Sequence, residues 1–163
     1  MGARLQKATT SGKRARADRH GWLTYEGYKQ IHDTRLANHH FVDHSKLDSL
    51  KFELFLGLDG LLYVSLSGEI HCKDNIVLYV DKVMETRWVG KGRIQVRGLI
   101  YCYNAKITGK CNILRYDNEH EFGDYHKHTF DIATGKQVAR ISLSRRDFPT
   151  LSDILDELAS MFS

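Results

Sequence analysis

The sequence predicts an α+β domain: an antiparallel β-meander of about five to six strands packed by a C-terminal amphipathic helix, behind an N-terminal extension. Three observations carry this. From Lys51 onward apolar residues recur with a period of two. The runs are separated by short turns rich in Gly, Asp and Asn, and a parallel crossover needs a dozen residues or more. Near the end, Leu151, Ile154, Leu155, Leu158 and Phe162 draw one apolar stripe at helical spacing.

The elements follow in order. Residues 1–20 lack apolar periodicity and carry six basic residues against Asp18, so the rest of the net charge of +4 is close to neutral. They read as a disordered basic leader, of a kind that favours a polyanion or an acidic partner. Residues 22–37 read as a short helix, with Tyr25, Tyr28, Ile31, His32 and Arg35 three or four apart and Thr24 as N-cap. His39, His40 and His44 follow outside any ligand motif and read as surface residues. The extension is residues 1–45, and the α+β domain is residues 46–163.

Phe52, Leu54 and Leu56 alternate as a first strand, and Asp59-Gly60 turns the chain. Leu62, Val64 and Leu66 alternate next. Ser67-Gly68 reads as a turn into a short run, Glu69–Cys72. Lys73-Asp74-Asn75 is a further turn. Ile76 to Arg87 is a long strand with Ile76, Leu78 and Val80 on one face. Gly90-Lys91-Gly92 ends it, and Arg93 to Ala105 is the longest strand. Cys111 to Leu114 returns after Thr108-Gly109-Lys110, and Gln137 to Leu143 follows Thr134-Gly135. Pro149 and Thr150 open the last helix, with Asp153 placed for a capping box. Its polar side, Asp153, Asp156 and Glu157, is expected to face water.

Composition narrows the classes. A hydrophobic content of 42% and a charged content of 27% suit a globular protein rather than a disordered one. No apolar run approaches the ~20 residues of a membrane span. No secretory h-region opens the chain, so the expected compartment is the cytoplasm. Three cysteines without a CxxC exclude a disulfide framework and read as small core or sheet residues.

The stretch Arg115 to His128 is the densest polar cluster. Asp124, His126 and His128 are two apart, so an extended segment projects them from one face and sends Tyr125 and Lys127 to the other. Asp117 and His120 precede the Phe122-Gly123 bend, which can return them to that face. Three readings fit. One is metal-independent RNA cleavage, with one imidazole taking the 2′-hydroxyl proton and a second group protonating the leaving oxygen. Arg115, Lys127 or Arg97 then stabilises the phosphorane, and Asp117 or Asp124 orients an imidazole. The second is a metal site of His120, His126, His128 and Asp117 or Asp124. The third is a solvated polar loop, since Asp-Asn and Gly-Asp also form turns.

Tyr116-Asp117-Asn118, His120, and Gly123-Asp124-x-His126-x-His128 together resemble the signature of TumE-type toxins of prokaryotic toxin–antitoxin pairs, over about residues 60–163. The resemblance implies a compact α+β toxin that attacks RNA and is held by a helix-turn-helix antitoxin. Residue chemistry and resemblance together give the expected reading, a metal-independent endoribonuclease without a cofactor, with His126 and His128 as acid/base pair, Asp117 and Asp124 as orienting carboxylates, Arg115 as phosphate ligand and His120 as a further catalytic candidate. The long basic N-terminus departs from that pattern, and His120 stands where the family often has a charged residue. Tyr25, Tyr28 and Tyr125 are candidates for the antitoxin surface, and equally for packing residues. A non-catalytic nucleic-acid-binding protein, using the basic leader for affinity, is the alternative.

Overall fold

In the computed structural model, the turns link strands that follow chain order. The structure describes residues 20–46, 49–118 and 124–162. The basic leader therefore lies outside the described residues, as do His120, Phe122 and Gly123. Strands β2 (Lys51–Leu56), β3 (Leu62–His71), β4 (Ile76–Trp88), β5 (Ile94–Ile107), β6 (Cys111–Asp117), β7 (Tyr125–Phe130) and β8 (Gln137–Leu143) lie side by side in that order. Every neighbouring pair is antiparallel. A two-residue strand β1 (Leu23–Thr24) adds to β5 through Leu23 and Val96. Helices α1 (Tyr25–Asn38) and α2 (Leu151–Phe162) complete an α+β architecture.

One expected turn is absent. Ser67-Gly68 does not break the chain: β3 runs on to His71, with Gly68 paired to Val80 of β4. The glycine serves a close approach instead. Its φ is +137°, and a Cβ there would lie 2.4 Å from the Ser49 carbonyl oxygen. The other turns form where positive φ is needed, as at Asp74 and Asn75 (φ 60° and 58°). The strand total is higher than the sequence indicates because the Arg115–His128 stretch is itself half strand, in β6 and β7, and because Leu23–Thr24 adds to β5 as β1.

The sheet has an apolar face and a polar face. Val64, Leu66, Leu78, Met84, Tyr101, Tyr103 and Leu114 are buried on the first. The stripe of α2 covers it: Ile154, Leu155 and Leu158 are buried there. A fully buried Leu or Ile of this kind contributes roughly 1.5–3 kcal/mol. The start of α2 is fixed by the expected capping box, with Thr150 N donating to Asp153 Oδ2 at 2.8 Å and Asp153 N donating to Thr150 Oγ1 at 3.4 Å. Phe148 is wholly buried just before it and packs on Tyr101 and Tyr125, with ring centroids 5.1 Å away in each case.

Glu157 does not face water as expected. It accepts a hydrogen bond from Tyr116 Oη at 2.6 Å and an ion pair from Lys127, both across the sheet surface. Tyr125 is likewise buried and so is no surface for an antitoxin. Tyr25 and Tyr28 pack on Phe52 of β2. Thr24 caps α1 through its side chain to Gly27 N. His39 is buried and reaches Asp156 at 2.7 Å, tying the end of α1 to α2. All three cysteines are free thiols. Among the described residues, no helix is long and apolar enough to cross a membrane.

Candidate metal centre

Strand pairing builds the site. In the β6–β7 ladder Asp117 stands opposite His126 and Arg115 opposite His128, while Tyr116 stands opposite Lys127. Directly opposed residues share a face. Tyr116 and Lys127 lie on the α2 side, so Asp117, Arg115, His126 and His128 lie together on the polar side. The period-two division expected from the sequence is therefore present.

Hydrogen bonds fix the two rings. His126 Nδ1 lies 2.9 Å from the Asp124 carbonyl oxygen, and His128 Nδ1 lies 2.9 Å from Gln137 Oε1. A carbonyl only accepts, so each Nδ1 carries a proton, and each Nε2 presents a lone pair when its ring is neutral. Those two nitrogens point toward Asp117. His126 Nε2 is 2.8 Å from Asp117 Oδ1, and His128 Nε2 is 3.9 Å from Asp117 Oδ2. The short approach is not aligned as a hydrogen bond: Oδ1 of Asp117 and Nε2 of His128 are buried with no hydrogen-bond partner among the described residues.

Asp117 is completely buried and His126 is 2% exposed. The Arg115 guanidinium donates to Asp117 Oδ2, which leaves Oδ1 for the imidazole side. Burial pulls the His128 pKa down, and Arg115 and His126 add to this. The Gln137 hydrogen bond and Asp117 act the other way without cancelling it. His128 thus favours the neutral form a metal needs. One donor atom from each of Asp117, His126 and His128 falls in a set no wider than 4.8 Å. Around a tetrahedral ion, donors stand about 3.4 Å apart, so on binding the widest pair closes by about 1.4 Å and the close His126–Asp117 pair opens by about 0.6 Å.

Asp124 takes a different part from the one expected. Its carbonyl orients His126, while its carboxylate accepts from Arg140 at 2.7 Å and stays 3.9 Å from His126 Nδ1. Of the three candidate cations only Arg115 is in the cluster. Lys127 pairs with Glu157 on the other face, and Arg97 pairs with Glu85. Asn118 holds the backbone rather than the site. Its side chain accepts from Tyr101 N at 2.7 Å and donates to the Leu99 carbonyl at 3.0 Å, pinning the end of β6 to β5.

Gln137 and Arg140 are functional neighbours that the sequence reading missed. The register of β8 places Arg140 opposite His128, so a period-two argument was open for it. Gln137 had no such signal, because a register shift between Thr129 and Phe130 brings it to His128. No family model, no curated protein and no solved structure matches the chain.

Proposed function

We propose that Asp117, His126 and His128 hold one divalent transition metal, and that the centre hydrolyses phosphodiester bonds of RNA in the cytoplasm. One observation carries the metal: two Nε2 atoms and a carboxylate oxygen that accepts no hydrogen bond among the described residues converge in a set whose Asp117 and His126 are buried, each ring anchored by its Nδ1–H. Mixed His/carboxylate donor sets with an open position suit zinc, iron or manganese. Bound there, the ion would lower the pKa of a coordinated water toward neutrality. Arg115 would then neutralise a phosphate oxygen beside it. The RNA half of the proposal is supported by the TumE-like motif and the basic leader, and a helix-turn-helix antitoxin is the partner that goes with it. Three free cysteines agree with a reducing compartment.

A metal-free reading is favoured by a separate observation. His128 is held neutral and lies next to the Arg115–Asp117 pair, as a general base beside a phosphate ligand would. Cobalt(II) titration separates the two. The metal centre predicts a saturable visible absorption that His126→Ala and His128→Ala both abolish. RNA cleavage should then stop on EDTA treatment and return with added metal. Cleavage that persists in EDTA and fails in His128→Ala would select the acid/base mechanism.

A further inference from the structure

We propose that the cavity between α1, α2 and the apolar face of the sheet binds a small organic monocarboxylate of about benzoate size, its carboxylate held by Lys82. The cavity has a volume of about 150 Å³. A space of that order accepts a single six-membered ring. It lies on the opposite side of the sheet from Asp117 and His126, so it stands or falls independently of the metal centre.

Lys82 is the observation that points to an anion. It is 7% exposed and sits on β4 opposite Tyr101, on the same face as Val80 and Met84. An ammonium group carries three N–H donors. One goes to Tyr28 Oη at 2.6 Å. The charge otherwise meets ring faces, with the Tyr28 and Tyr101 centroids 4.6 and 5.0 Å away. Burial works to discharge the amine, but its contacts with Tyr28 and Tyr101 outweigh this and raise its pKa.

Among the described residues, the cavity wall contains no aspartate or glutamate, while Arg35 and Arg97 add positive charge and Arg97 is already paired with Glu85. His32 brings none, because burial lowers its pKa to about 4. A buried cation without a carboxylate is costly unless something pairs it. A monocarboxylate would take the remaining ammonium donors and set its apolar body against Met84, Val96 and Leu155, which also line the space. A phosphate or a dicarboxylate fits less well, since Lys82 is the one buried ammonium on the wall, Arg35 is exposed and Arg97 is already paired with Glu85.

The proposal is tested by isothermal titration of the full chain with benzoate, phenylacetate and hexanoate, each beside its neutral amide, together with amide NMR shifts. At least one acid should bind about tenfold or more tighter than its amide, the usual scale for a charge-assisted hydrogen bond. The shifts should centre on Tyr28, Lys82 and Tyr101. Lys82→Met keeps the volume and removes the charge; it should lose that tenfold preference and bind acid and amide alike. The acid–amide comparison on the unaltered chain decides the matter even if Lys82→Met does not fold. The proposal is overturned if no acid binds at about 10 mM, if acids and amides bind equally to the unaltered chain, or if the shifts gather around Asp117 and His126.

Discussion

The carbonyl oxygen of Asp124 accepts the Nδ1–H of His126 at 2.9 Å, so a backbone atom two residues away decides which ring nitrogen faces Asp117. His128 has the same arrangement with a side-chain carbonyl, Gln137 Oε1, also at 2.9 Å. The difference matters, because a side chain can be replaced without moving the strand.

Gln137→Leu should therefore weaken metal binding while leaving the fold intact. Removing a group that orients a metal-bound histidine typically costs about 10–100-fold in affinity. Competition titration with a chromophoric chelator reads this directly. An unchanged affinity would show that His128 needs no orienting partner.

Acid should destabilise the protein through His32. Its pKa falls from 6.5 to about 4 in the folded state, because burial opposes the charge. The unfolded chain therefore binds more protons than the folded one between those values, and stability decreases as pH drops through that window. The full loss is on the order of 3 kcal/mol at pH 4 and below, and it is absent above pH 7. Urea unfolding at pH 7 and pH 4.5 measures it. His32→Gln should flatten this part of the slope.

Glu157→Ala should cost about 1–3 kcal/mol, since it strands the Tyr116 hydroxyl and the Lys127 ammonium on a packed surface. Glu157→Gln keeps an acceptor for Tyr116 and should recover part of the loss. A double-mutant cycle with Lys127→Met, followed by urea unfolding, isolates the ionic contribution.

Gly68→Ala should be more harmful than an exposed turn glycine would suggest. The added Cβ would meet the Ser49 carbonyl oxygen at 2.4 Å, in a backbone conformation that side chains avoid. A loss of roughly 2–4 kcal/mol is expected from strain and displaced backbone together. The same change at Gly60, which has positive φ but open space around it, should cost only about 1 kcal/mol. Thermal melts of the two variants side by side make the comparison.

Much of this fold was legible because it is locally coded. Turn residues sit between alternating runs, and the α2 stripe has a matching apolar face to cover. Asp124, His126 and His128 could be separated from Tyr125 and Lys127 by parity alone. Parity also puts Lys82 on the face of Leu78 and Val80, yet a lysine there reads as surface until the aromatic rings around it are seen. What stayed hidden depends on contacts distant in sequence. Glu157 reads as solvent-facing because nothing in α2 announces Tyr116 and Lys127. Gly68 looked like a turn because the approach of Ser49 has no local signature. Gln137 reaches His128 through a shift in register that alternation does not encode.

The meander also sets an order of assembly. Each strand from β2 to β8 pairs with its neighbours in sequence, so those hairpins close short loops and can zip rapidly. Leu23 must find Val96 on β5, across more than seventy residues. Asp117 and His126, by contrast, meet as soon as the β6–β7 hairpin closes. The donor set thus belongs to the part of the chain that forms early, whereas the cavity around Lys82 is completed only when the N-terminal strand and both helices have docked.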